Sequence, residues 1–126
     1  MAAVLADSVT PVWQAGLAEL VETDHRICDE ISLVPTPGHT PGHVSLRIAS
    51  DGEAALITGD FMHHPCQIAR PDWSSTADSD PAAARLTRQR MLTDLADTPI
   101  LVIGTHFAGR SAGRIVPDGG AYRHAV

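Results

Sequence analysis

A chain of 126 residues with 44% hydrophobic and 19% charged residues can bury a core as one domain, residues 1–126, and is too apolar to stay disordered. Its formal charge of −6 argues against nucleic-acid binding, which needs a basic patch facing phosphate; Arg85, Arg88 and Arg90 are too few to supply one. No apolar run reaches bilayer length or has the form of a secretory leader, and Cys28 and Cys66 make neither a C-x-x-C pair nor a disulfide framework, so the expectation is no membrane partner and a reducing, cytoplasmic location.

In chain order, residues 11–22 (PVWQAGLAELVE) predict a short helix with Thr10 as its N-cap and Pro11 at the first helical position. Alternation in DEISLVPTP predicts a strand at 31–35, and HVSLRIAS predicts a half-buried strand at 43–50. SDGE forms a hairpin turn around Asp51 and Gly52, with AALIT (54–58) returning as the partner strand. Residues 61–80 read as loop, broken by Pro65 and Pro71. A helix then covers 81–96, capped by Asp80 with Pro81 at its first position. Ala84, Met91, Leu92 and Leu95 share one side of it and Leu86 lies opposite, which predicts cover on two sides. Arg88 falls on the apolar side, where its stem is expected to pack while its head reaches water. PILVIG (99–104) predicts a buried strand, and GRIVPDGGAYRH (113–124) a hairpin around PDGG. This order predicts an α/β layered fold with one main sheet.

Seven histidines are the compositional oddity, four of them between residues 39 and 64. His39 sits in a Gly/Pro-framed turn before a strand, Asp60 follows a strand through a glycine, and His106 follows another through a threonine. Strand ends gather loops on rigid supports, so these three residues are the first candidates for a site. Imidazole nitrogens with a carboxylate suit Zn²⁺ and other divalent first-row metals, and a carboxylate can bridge two ions.

Taken in order, TPGHTPGH, TGD and GTHF resemble the C-terminal half of the metallo-β-lactamase superfamily. GDFMHHPCQ, RPDW and GTHFAGRSAGRI look most like its branch of acyl-homoserine lactonases and methyl parathion hydrolase. The resemblance runs from about Val9 to Arg123 and implies a truncated metallo-β-lactamase fold, half of an αββα sandwich. It implies His39 as a ligand of one metal, His106 as a ligand of the other, and Asp60 as the carboxylate between them. The family's leading His-x-His-x-Asp-His motif is absent; the only histidine before His39 is His25. Half the ligands and half the sandwich are therefore missing, and one sheet face would be bare. Two copies packed through that face would each replace the other's missing half, so a two-fold homodimer is expected. His63 and His64, just past Asp60, are the expected extra ligands, ranked above His43, Asp72, Asp78 and Asp80. His43 is expected to hold the turn through hydrogen bonds.

The activity this implies is a zinc-dependent hydrolase with one or two Zn²⁺ per chain, acting on a small-molecule ester substrate. Zinc-acidified water attacks the ester, lactone or phosphoester centre, Asp60 orients it or takes its proton, and His63 or His64 completes the metal shell or protonates the leaving group. Asp60 and His64 are thus the catalytic candidates. An open, improvised site predicts promiscuity across phosphodiesters, phosphotriesters, sulfate esters, carboxylic esters and lactones. Two rival readings are a catalytically silent metal-binding fragment and a half-protein that needs a separate N-terminal chain. Among the remaining residues, Cys66, Trp73 and Phe107 are expected in the core, His25 and His124 at the surface, and Tyr122 is a candidate donor to a developing oxyanion.

Overall fold

Six strands form one sheet in the computed structural model, which describes residues 2–126. They are β1 (Ile31–Pro35), β2 (Val44–Ser50), β3 (Glu53–Ile57), β4 (Leu101–Ile103), β5 (Ala112–Asp118) and β6 (Ala121–Ala125), and they lie in sequence order across the sheet. All neighbours are antiparallel except β3 and β4, which run parallel. A parallel pair needs a crossover, and the segment between them supplies it as the short helix α3 (Cys66–Ala69) and the long helix α4 (Pro81–Leu95). The short helix lies inside the stretch expected to be loop. The Asp51–Gly52 turn joins β2 to β3 with both residues in the left-handed region, as a two-residue hairpin requires.

Helix α4 starts where the sequence predicts: the Asp80 carboxylate accepts from the amides of Ala82 and Ala83, at 3.1 and 3.0 Å, ahead of Pro81. It buries Ala84, Thr87, Arg88, Met91, Leu92 and Leu95, one stripe at helical spacing. Leu86 is 62% exposed, so the helix is covered on one side only, contrary to the two-sided expectation. Its stripe packs with Phe61, Met62, Ile68 and Phe107 on the face of the sheet that carries Leu56, Val102 and Ile115. Each such side chain, fully buried, contributes about 1.5–3 kcal/mol.

Among the described residues, nothing covers the opposite face. The strand registers place Ile31, Leu33, Leu46, Ile48, Ala55, Ile57, Leu101 and Ile103 together on it, each only partly buried. The 99–104 stretch was therefore expected to be more buried than it is: only Val102 of β4 is fully enclosed. An open groove of about 570 Å³, bordered by Ile48, Ala55, Pro99 and Leu101 among others, marks one end of this face.

The N-terminal segment also departs from expectation. Helix α1 (Ala2–Val4), a π-helical stretch (Leu5–Val9) and α2 (Thr10–Gln14) form the helical part, which stops before Gly16, so residues 17–22 are not helical. Thr10 is inside the helical run, its hydroxyl donating back to the Leu5 carbonyl at 3.0 Å, and caps nothing. Residues 3–30 are exposed throughout, Val12, Trp13, Leu17 and Leu20 included.

Candidate metal centre

Strand direction brings the candidates together. The parallel β3 and β4 end at the same edge of the sheet, which sets Asp60 beside His106, and the antiparallel β1–β2 connection at that edge carries His39 and His43. The two exits are tied: the Thr58 amide donates to the Ile103 carbonyl at 3.0 Å, and the Thr105 amide donates to the Thr58 hydroxyl at 3.2 Å. The groove on the open face is bordered by the opposite ends of these strands and holds none of the histidines.

Asp60 lies between two imidazoles. Its Oδ2 is 3.2 Å from His39 Nε2 and its Oδ1 is 3.0 Å from His106 Nε2. The side chains of His106, Asp60 and His39 are 49%, 33% and 19% exposed, so the array opens to solvent on the His106 side. The His63 ring is stacked on His106 with centroids 5.4 Å apart and lies 5.2 Å from that of His39. The His63 amide donates to Gln67 Oε1 at 2.7 Å, and Gln67 Nε2 donates to the Trp73 carbonyl, which orders the loop behind the rings.

His64 is placed apart from this group. It is exposed, and its Nδ1 accepts from the Cys66 amide at 3.1 Å. His43 has both ring nitrogens engaged. Asp60 N–H, an obligate donor, points at Nε2, so the proton is on Nδ1, which donates to the Thr36 carbonyl at 2.9 Å. Beneath it, the buried hydroxyls of Thr36 and Ser45 are 3.1 Å apart, and Ser45 donates to the Thr58 carbonyl. Gly59 permits the turn: its φ is +58°, and a Cβ there would lie 2.7 Å from His43 Nε2. Burial holds the His43 and His63 imidazoles below their usual value, against the pull of the Asp60 and Asp78 charges.

The residue pair that sequence reasoning ranked low or misplaced is Asp78 with Arg88. Both side chains are fully buried, with Arg88 Nη1 3.4 Å from Asp78 Oδ2. The Arg88 head does not reach water; it donates to the Pro71 and Phe61 carbonyls and to Ser74 Oγ, holding the loop over the core. Asp78 Oδ1 then faces His39 Nδ1 at 3.5 Å. That approach depends on Gly38, whose carbonyl accepts from the Asp80 amide while the His39 carbonyl accepts from Ser79. Asp72 is exposed and Asp80 is committed to its cap. The Tyr122 hydroxyl lies 3.3 Å from that of Thr93 on α4 and is not among the groups gathered around Asp60. Trp73 is exposed, Cys66 partly so, and His124 is partly buried against Phe107; only Phe107 is in the core as expected.

His39 Nδ1, His63 Nδ1 and Asp78 Oδ1 are buried and without a hydrogen-bond partner. Atoms with lone pairs and no donor suit a cation, and imidazole with carboxylate is the donor set of a divalent first-row metal. The site fits such an ion.

The family model described as the metallo-beta-lactamase superfamily matches residues 4–106. An N-acyl homoserine lactonase from a Bacillus species is 25% identical over 101 residues, covering 79% of this chain and 40% of the lactonase. Among solved structures, the hydrolase AbOPH of the beta lactamase superfamily superposes with a TM-score of 0.85 at 24% identity, over 94% of this chain and 42% of that one. The dizinc quorum-quenching lactonase AidC gives 0.78 at 20% identity, over 96% and 46%. The chain thus spans about two fifths of the length of these proteins.

Proposed function

Because the chain belongs to the metallo-beta-lactamase superfamily of metal-dependent hydrolases, we propose that it hydrolyses ester-type bonds at the centre built from His39, Asp60 and His106. The observation that carries this reading is the Asp60 carboxylate held between two imidazole nitrogens at 3.2 and 3.0 Å, at the solvent-facing edge of the sheet. His39, Asp60 and His106, with His63 adjacent, are the residues to hold zinc, which when bound supplies Lewis acidity and acidifies water near neutral pH. Asp60 accepts the proton of the attacking water, and His43 fixes the backbone from which that carboxylate projects. Burial lowers the His63 imidazole below its usual value, which favours the lone-pair-donating neutral form over a proton donor. His64, turned away to the Cys66 amide, does not take the proton-returning role expected of it from the sequence.

The open rim favours breadth over selectivity: activated phosphodiesters, phosphotriesters, sulfate esters, carboxylic esters and lactones are the substrate classes. The lactonase relatives support the lactone member. The test is a panel of p-nitrophenyl esters and a homoserine lactone, with the protein as prepared, after chelation and after Zn²⁺ return. Asp60→Asn is expected to lower kcat/KM about 100-fold or more. Turnover that survives chelation would refute the reading; metal bound without turnover would favour the catalytically silent alternative.

The bare sheet face supports a second part of the proposal. Its apolar strip from Ile31 to Ile103 is contiguous across four strands, and a second copy packed on it would remove it from water.

A further inference from the structure

We infer that Asp78 is a positioning residue for the metal ligand His39: its buried Oδ1 accepts the proton on His39 Nδ1 and so fixes that ring with Nε2 toward Asp60, while Arg88 holds the carboxylate in place. The inference rests on the metal-dependent reading and keeps its ligands, His39, Asp60 and His106. The tautomer gives the direction. His39 Nε2 is 3.2 Å from Asp60 Oδ2, so Nε2 is the nitrogen on the side where the ion would be held. A neutral imidazole carries one proton, and lending the Nε2 lone pair to a cation leaves that proton on Nδ1. Nδ1 faces Asp78 Oδ1 at 3.5 Å, and the Asp78 side chain is fully buried.

The surroundings of Asp78 turn that oxygen to the ring. Arg88 Nη1 and the Ser75 amide both meet Oδ2, at 3.4 and 3.2 Å, and Oδ1 has no hydrogen bond. Buried polar atoms without partners are costly, and His39 Nδ1 and Asp78 Oδ1 are both of this kind. One N–H···O bond between them satisfies the two at once, and closing it from 3.5 Å takes about half an ångström. The loops that carry them are already tied. The Ser79 amide donates to the His39 carbonyl at 3.0 Å, the Asp80 amide to the Gly38 carbonyl at 2.9 Å, and the Thr87 hydroxyl on α4 to the Pro37 carbonyl at 2.6 Å. A carboxylate accepting from the far nitrogen of a ligating imidazole makes the near nitrogen a stronger donor and holds the ring in orientation. Arg88, itself donating to the Pro71 and Phe61 carbonyls, thereby ties the orientation of His39 to the core.

The experiment records histidine side-chain ¹H–¹⁵N correlation spectra of Zn²⁺-loaded protein and measures Zn²⁺ affinity by competition with a chromophoric chelator. The His39 signals are those lost in His39→Gln. In the wild type, His39 should carry its proton on Nδ1. Asp78→Ala should shift that proton resonance or lose it to exchange, and weaken Zn²⁺ binding about 10–100-fold. Asp78→Asn, which keeps an acceptor oxygen, should recover part of both. The two variants strip Arg88 of its counter-charge alike, so the difference between them reports the acceptor. Circular dichroism establishes folding; should Asp78→Ala fail to fold, the wild-type tautomer decides alone. A Zn²⁺-loaded wild type with the His39 proton on Nε2 overturns this inference and leaves the Asp60 centre standing. Equal losses in the two variants with the Nδ1 proton resonance unmoved overturn it too, because the role is then only structural. A wild type that takes up no Zn²⁺ overturns it together with the metal-dependent reading.

Discussion

The backbone amide of Asp60 donates to His43 Nε2 at 2.8 Å, across seventeen residues of sequence. A protonated His43 would place N–H against N–H and lose this bond. Burial already holds its imidazole below 6.5, and holds that of His63 in the same direction. An unfolded chain therefore binds protons on these groups more readily than the folded one. Stability is full above about 6.5 and falls as pH drops from there through the folded pKa. Urea midpoints of metal-free protein should decline between pH 7.5 and 5.5, and His43→Leu should flatten that decline. Identical slopes in the two proteins would remove His43 from the account.

Arg88 and Asp78 are a buried ion pair whose removal from one side leaves an uncompensated charge. Arg88→Met should destabilise the fold by about 3–5 kcal/mol, read from urea unfolding. The Arg88→Met/Asp78→Asn double variant should cost less than the sum of the singles. Additive costs would mean that the two side chains act independently.

Gly38 holds the loop against α4. At φ +132° it has a conformation L side chains rarely adopt, and a Cβ would lie 2.2 Å from the Ala84 backbone nitrogen. Gly38→Ala should cost about 1–3 kcal/mol and weaken metal binding, because His39 moves with the loop away from Asp60. Gly42→Ala in the same loop meets nothing within 4 Å and serves as the control. Equal effects from the two variants would contradict the close-approach argument.

The uncovered face makes a solution measurement direct. Light scattering should give twice the chain mass for the wild type, and Ile48→Glu, which sets a charge in the middle of that face, should give a monomer. A monomeric wild type would end the homodimer proposal. Aggregation with strong binding of an apolar dye would point to a separate N-terminal chain as the natural cover.

Much of the local structure was legible because its causes are local. Alternation at 44–50, the Asp51–Gly52 turn and the Asp80–Pro81 helix start each depend on neighbouring residues, and each lies where expected. The placement of His39, Asp60 and His106 at one edge was legible for the same reason: each directly follows or precedes a readable strand. The N-terminal helix was misjudged because Gly16, which ends it, was read as an interior position. Arg88 and Asp78 were misjudged because side-chain type predicts an exposed head and a solvated carboxylate, and only a partner distant in sequence reverses that.

By itself the sequence determined the strands, the turns, the start of α4, the family and the three residues at the strand ends, since periodicity, capping and motif order are properties of short stretches. Only the tertiary structure decided that Asp78 faces His39, that His43 is spent on holding Asp60 and that His64 turns to Cys66. Those outcomes depend on how the 61–80 segment and α4 fold back over one side of the sheet, and the free energy of that packing is shared among residues that no local pattern connects.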